Sequence, residues 1–162
     1  MDKELHRISS TAIIHKAGKY LITRRSLDKK AFPGKWTVPG GGLSTDDYIN
    51  TPKTTADLWY FGLQNSLKRE VKEEVNLEIG PIKYLLDMTF IRPDGVPVLI
   101  LSFYADYKSG EVKLDDDNID YAWVSYEEAR NYDLIDGILE ELRMVDEIMK
   151  GADINSVIFN SC

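Results

Sequence analysis

Three glutamates, Glu70, Glu73 and Glu74, fall within five positions of one another in the stretch GLQNSLKREVKEEVNL, residues 62–77. Residues three and four apart share one face of a helix, so on a helix these carboxylates gather on one side while Leu67, Val71 and Val75 turn toward a core. Two readings of that face stand side by side. Glutamate-rich helix faces are commonly just solvated. Like charges at this spacing, however, repel by roughly a few tenths of a kcal/mol per pair, and Arg69 and Lys72 flank the trio without diluting it. Hard divalent cations such as Mg²⁺ or Mn²⁺ take carboxylate oxygens and keep several waters, so three glutamates beside a substrate phosphate would make a cation site.

The elements that must position this helix can be read from the pattern around it. STAIIHK and KYLITRRS flank Ala17-Gly18 and predict a hairpin. AFPGKWTVPGGG holds two Pro-Gly pairs around a short strand, Trp36 to Val38, that delivers a glycine-rich bend at Gly40, Gly41 and Gly42. From Thr54 or Thr55, either a fair N-cap, the pattern turns helical, with Trp59, Leu63, Leu67, Val71 and Val75 spaced four apart. PIKYLLDMTFI and VPVLILSFYADY lie either side of Arg92-Pro93-Asp94-Gly95, a turn sequence, and predict a second, longer hairpin. YAWVS is a further strand, and Ile135 to Lys150 is an amphipathic helix carrying Ile138, Leu139, Leu142, Val145 and Met149. Hairpins outnumber strand-helix-strand crossovers, which predicts an α/β sandwich of mixed strands with two main helices rather than a doubly wound sheet.

Charge and length bound the partners. The chain has 162 residues, the size of one domain, and 27 acidic against 20 basic side chains. That balance argues against a nucleic acid polymer as partner, because a phosphate backbone requires a basic face. The single cysteine, Cys162, cannot form an intrachain disulfide, which fits a reducing compartment. MDKELHRISS lacks the apolar core of a signal peptide, and the longest apolar run, near Val96 to Ala105, is too short to cross a bilayer, so no membrane association and a cytoplasmic location are expected.

GKWTVPGGGL followed by LKREVKEEVNL resembles the Nudix (MutT-like) hydrolase family. Its signature runs Gly, five residues, Glu, seven residues, then Arg-Glu-apolar-x-Glu-Glu-x-Gly-apolar. The second half matches from Arg69 through Leu77. The leading hairpin, the paired strands after the box, and AWVSYEEA before a terminal helix follow the family's usual order, so the resemblance covers most of the chain and implies a Nudix-type α/β/α sandwich with a mixed sheet. The first half departs. If Gly41 is the signature glycine, some fourteen residues, roughly STDDYINTPKTTAD, are inserted within the box (about 42–55), with 151–162 a C-terminal tail to a single domain spanning 1–162. The family glutamate that braces the arginine is missing, and Asp46 or Asp47 can substitute for it. Asn76 replaces the family's helix-closing glycine, a conservative exchange because Asn is the next-best residue for the left-handed conformation.

The resemblance implies a pyrophosphohydrolase, dependent on Mg²⁺ or Mn²⁺, that cleaves a nucleoside diphosphate linked to another group: a nucleoside triphosphate, a nucleotide sugar or a dinucleotide-type small molecule. Glu73 and Glu74 take the principal ligand places, Glu70 that of a third ligand or a partner orienting the water, and the Gly41 carbonyl that of a backbone ligand. Arg69 is the brace, or simply an i,i+4 partner of Glu73. An acid on the loop LDDDNIDYAWV serves as general base in relatives. That loop offers Asp115, Asp116, Asp117 and Asp120, and Asp117 or Asp120 is favoured. Arg25, in ITRRS, matches a substrate-approaching place, and strand alternation puts Arg24 on the opposite face. Dimers are frequent in the family, which leaves a homodimer open. The alternative function is a non-catalytic Nudix-like domain that binds a nucleotide and reports it to a partner.

Other residues have ordinary explanations. His15 lies in an apolar strand and His6 near the start of the chain, neither with a second ligand at metal spacing. Trp59 continues the core stripe, although with Tyr60 and Phe61 it could form an aromatic lid.

Overall fold

The computed structural model describes residues 5–161; Cys162 lies outside them. The described residues fold into eight strands, two main α-helices and one short one: β1 (Arg7–Lys16), β2 (Lys19–Arg25), β3 (Trp36–Thr37), β4 (Gly40–Gly42), α1 (Gly62–Val75), β5 (Glu78–Ile79), β6 (Lys83–Ile91), β7 (Pro97–Ser109), β8 (Asn118–Val124), α2 (Tyr126–Ala129) and α3 (Ile138–Met149). The mixed sheet follows from the connections. β1 and β2 form the expected hairpin, and both turn residues, Ala17 and Gly18, have positive φ, as a two-residue turn matched to strand twist requires. β6 and β7 form the second hairpin, closed by Gly95 donating to the Arg92 carbonyl at 2.8 Å. β1 then runs parallel to β7, Arg7 opposite Val98 through His15 opposite Asp106, which makes the sheet mixed.

β1 is central because its apolar run must be buried on both faces. Ala12 and Ile14 join Leu21, Phe103 and Ala105 under Leu67, Val71 and Val75 of α1. Ile13 joins Tyr20, Ile22 and Tyr104 under Leu142, Met144 and Val145 of α3. Each fully buried Leu, Ile or Val contributes roughly 1.5–3 kcal/mol, and the two clusters clamp the sheet between the helices. This is the α/β/α sandwich expected. Among the described residues no helix is long and apolar enough to cross a membrane.

Both main helices start later than the sequence reading places them. α1 begins at Gly62, not at Thr54 or Thr55, because both threonine hydroxyls are used elsewhere: Thr55 Oγ1 accepts the Leu58 N–H and Thr54 Oγ1 the Tyr60 N–H, each at 3.1 Å. These contacts close a loop in place of a helix cap. Trp59 consequently leaves the apolar stripe. It donates from Nε1 to the Thr51 carbonyl at 3.0 Å and packs on Tyr48, while Tyr60 and Phe61 are exposed. α3 starts at Ile138 rather than Ile135, after Gly137 at φ 89°.

Candidate active site

The glycines expected as a bend form a short strand instead: β4 pairs with β1, Ser9 opposite Gly42 through Thr11 opposite Gly40. That pairing holds the glycine segment against α1, and the approach is close. A Cβ placed on Gly41 would come 2.2 Å from the carboxyl carbon of Glu70, so only glycine leaves room for that carboxylate. The Gly40 N–H donates to Glu74 Oε2 at 2.9 Å, and Ser66 Oγ donates to the Gly42 carbonyl at 3.4 Å. α1 ends as its sequence suggests, with Asn76 at φ 58° closing the helix and its Nδ2 donating to the Glu111 carbonyl at 3.1 Å.

Arg69 organises the acid face. Its Nη1 donates to Glu73 Oε2 at 2.8 Å, its Nη2 to Glu70 Oε1 at 2.9 Å, and its Nε to Asp47. The three glutamates therefore share a helix face but do not converge on one point. Two are drawn to the guanidinium, and among the described residues no three acidic, histidine or cysteine side chains stand ready around a common centre. Asp47 is only 4% exposed, whereas Arg69 is 35% and Glu73 59% exposed. The second oxygen of Asp47 accepts the Ser44 N–H at 2.7 Å within a capping box at Thr45–Asp47. The hydrogen bond from Arg69 holds the Asp47 carboxyl below its usual range, and the same bond raises Arg69. Asp47 lies six positions after Gly41, the signature's glutamate spacing, so the extra residues fall between Asp47 and Arg69 rather than before Asp47. The Ser-x-x-Asp capping pattern is the local signal that separates Asp47 from Asp46.

Glu74 has the most unusual environment. Burial pushes its carboxyl up to about 8; the Gly40 N–H and Arg25 oppose the shift, and Asp115 and Glu70 add to it. Arg25 thus acts on the glutamates from β2, with its Nε donating to the Ala31 carbonyl at 3.0 Å, while Arg24 donates to the Gly34 carbonyl at 3.0 Å. The acidic loop is fastened to the end of α1 by Lys113 N–H on the Val75 carbonyl and Asp115 N–H on the Glu74 carbonyl, both 3.1 Å. It is Asp115 that this fastening brings to Glu74. Asp117 pairs with Lys29, and Asp120 faces Arg24 across the β2–β8 ladder and accepts the Tyr121 N–H at 2.8 Å. No sequence signal distinguished Asp115 from its neighbours, because the register of a loop on a helix end is a tertiary property.

A cluster of hard oxygen donors with a desolvated carboxylate short of cationic partners is the donor chemistry that a Mg²⁺-sized cation accepts. Comparison with known proteins decides the family: the NUDIX domain model matches residues 5–143. The chain belongs to the Nudix family. It is a Nudix hydrolase, of the class that acts on phosphoanhydride bonds. Among curated proteins it is similar to nucleoside triphosphatase NudI of Klebsiella pneumoniae (strain 342), 29% identical over 75% of this chain and 84% of that one. The NudI of Escherichia coli (strain K12 / DH10B) is 28% identical over 82% and 91%. Among solved structures, the MutT protein from Methanosarcina mazei Go1 superposes with a TM-score of 0.68 at 24% identity, over 94% of this chain and all of that chain. The MutT NUDIX hydrolase from Burkholderia pseudomallei gives 0.68 at 20% identity, over 86% and 98%. These structural likenesses establish the Nudix fold.

His15 is explained by packing: it contacts Asp106 across the parallel ladder at 3.2 Å, and burial lowers its pKa. His6 precedes β1.

Proposed function

We propose that this Nudix hydrolase is a divalent-metal-dependent pyrophosphohydrolase of small nucleotides, with nucleoside triphosphates as its first candidate substrates. The observation that carries the reading is Glu74, a desolvated carboxylate beside two other acids, which gains most from a cation. Glu73, Glu74 and Glu70, with the Gly41 carbonyl, would hold Mg²⁺ or Mn²⁺. Such a cation, when bound, stabilises charge on the phosphate oxygens and acidifies an attacking water. The substrate class is supported by the NudI relatives, named nucleoside triphosphatases, whose likeness spans most of both chains.

The chain's own groups have distinct tasks in this reading. Arg69, braced by Asp47, keeps the rotamers of Glu70 and Glu73 from scattering and holds the box strand to the helix. Arg25, which acts on Glu74 from β2, offers a guanidinium to phosphate oxygens or a base edge. The proton of the attacking water needs an acceptor within hydrogen-bond reach, and of the four loop aspartates Asp115 has the strongest claim, since it acts on Glu74 while Asp117 is engaged by Lys29. The net charge of −7 supports a small-molecule substrate over a nucleic acid polymer. A cytoplasmic single domain, alone or as a homodimer, and without a membrane partner, completes the proposal.

The test is release of pyrophosphate, phosphate or nucleotide from a panel of triphosphates, nucleotide sugars and dinucleotides with Mg²⁺ or Mn²⁺, comparing the natural protein with Glu73→Gln and Glu74→Gln. One substrate class turned over, with losses of orders of magnitude in both variants, is the expected result. A silent panel in which a nucleotide still raises the melting temperature would replace the hydrolase with a nucleotide-binding domain.

A further inference from the structure

Arg7, the first residue of β1, carries a guanidinium that the site described so far does not use. It has no side-chain hydrogen bond or ion pair among the described residues. Arg69 is in the opposite condition, with a carboxylate on each of Nε, Nη1 and Nη2. The Arg7 side chain lies across β4, and it can do so only because residue 42 is glycine: a Cβ there would come 2.6 Å from Nη2 and 3.1 Å from Cζ. From that position Arg7 lines an open cavity of about 520 Å³ whose other walls include Asn65, Arg69 and Glu70. Asn65 sits one helical turn before Arg69, and its amide makes no hydrogen bond among the described residues. The charged groups at this cavity are Arg7 and Arg69 against Asp46, Asp47 and Glu70. Asp47 and Glu70 are both engaged by Arg69, so among the described residues at this cavity Arg7 is the cation free for a ligand and Asp46 the acid without a cation.

We propose that this cavity is an anion subsite in which Arg7, with the Asn65 amide beside it, receives phosphoryl oxygens at the end of the substrate's phosphate chain. The inference rests on the hydrolase reading above and deepens it. Asp115 and Arg25 both act on Glu74, which accepts the Gly40 N–H, and the Arg7 cavity opens at Glu70, whose carboxylate lies against the next residue, Gly41. In this proposal a phosphate chain that spans Glu74 and Glu70 has Arg25 beside the first and Arg7 beside the second. A planar guanidinium binds such oxygens through paired, charge-assisted hydrogen bonds. The stretch from Gly42 to Asp47, the first half of the box, supplies the wall that carries Ser44, Asp46 and Asp47.

The experiment is steady-state hydrolysis of a nucleoside triphosphate by the natural protein, Arg7→Ala, Arg7→Lys and Gly42→Ala, together with calorimetric titration of each by inorganic tripolyphosphate. Arg7→Ala is expected to raise KM about 10- to 100-fold, the scale of one lost charge-assisted bond, with a smaller change in kcat and a shallower dependence of KM on salt. Arg7→Lys recovers part of the loss. Gly42→Ala, which keeps the charge but displaces the guanidinium, raises KM as well. Tripolyphosphate affinity falls in parallel, and melting temperatures stay close to the natural protein's because Arg7 is exposed and unpaired. Unchanged KM and unchanged tripolyphosphate affinity in Arg7→Ala would overturn the subsite while leaving the hydrolase intact. If the natural protein hydrolyses nothing, the hydrolase reading fails, and the tripolyphosphate titration alone still decides whether Arg7 binds a phosphate chain.

Discussion

Replacing Asp47 with alanine removes two contacts at once. One is the charge-assisted bond from Arg69 Nε, and the other is the bond from the Ser44 N–H that completes the capping box. A bond between charged partners contributes about 1.5–3 kcal/mol, and a cap of this kind about 1 kcal/mol. The first figure is discounted because Arg69 is 35% exposed and keeps two other carboxylates, so water replaces part of what is lost. The net cost is about 2–3 kcal/mol, which for a domain of this size lowers Tm by roughly 4–10 °C. Activity falls further than stability, roughly 10- to 100-fold in kcat, because β4 and the glutamates of α1 lose their common tether and small misplacements are expensive at a reacting centre.

The assay is urea unfolding alongside triphosphate hydrolysis, for Asp47→Ala, Asp47→Asn and Asp46→Ala. Asp47→Asn retains an acceptor for Ser44 and loses the ion pair, so it falls between the natural protein and Asp47→Ala. Asp46→Ala changes stability by less than about 0.5 kcal/mol. The sign with pH follows from the depressed Asp47 carboxyl: its contribution is present above the unfolded value of about 4 and disappears as pH falls through the lower folded value. The gap between natural protein and variant therefore closes in acid. Equal costs at Asp46 and Asp47, or an Asp47→Ala protein that melts within about 1 °C of the natural one, would refute the brace.

Gly41→Ala should abolish most activity with a smaller effect on folding, since the new Cβ would sit 2.2 Å from the Glu70 carboxyl carbon and drive that side chain out; kinetics and melting curves of the one variant test both halves. Glu141 is buried on α3, accepts a hydrogen bond from Ser102 at 2.8 Å, and is pushed up to about 7 by burial. Above pH ~4.3 the unfolded chain releases a proton that the folded state keeps, so stability declines as pH rises toward 7, by up to about 3 kcal/mol. Glu141→Gln should flatten that decline, which urea midpoints at pH 5 and pH 8 will test, and equal slopes for both proteins would be contrary. Asn76→Ala puts a β-carbon without a compensating amide into the left-handed helix end and loses the bond to Glu111, at a cost of about 1–2 kcal/mol measured by the same unfolding.

Much of this architecture is carried by local rules. The Ala17-Gly18 and Pro93-Asp94-Gly95 turns, the stripe of Leu67, Val71 and Val75, and the helix end at Asn76 each depend on a few adjacent residues whose conformational preferences are strong. The beginning of α1 departs from the periodic pattern for an equally local reason: Thr54 and Thr55 are good caps, but loop N–H groups compete for the same hydroxyls, and periodicity at Trp59 does not reveal which donor prevails. The acidic face was legible as three carboxylates on one side of a helix. Their individual conditions were not, because Glu73 stands in solvent on Arg69 while Glu74 is desolvated against β4.

By itself, then, the sequence determined a sandwich of mixed strands and two helices, the helix that bears Glu70, Glu73 and Glu74, and the glycine-rich stretch before it, since those follow from periodicity and turn chemistry, while its resemblance to the Nudix signature supplied the α/β/α plan and the family. Only the tertiary structure decided that Asp47 rather than Asp46 braces Arg69, that Asp115 rather than Asp117 or Asp120 meets Glu74, and that Arg7 lies free over Gly42. Each of these choices joins residues separated along the chain by a loop or a sheet pairing. Their energies come from burial and charge at distances of a few ångströms, which spacing along a chain does not encode.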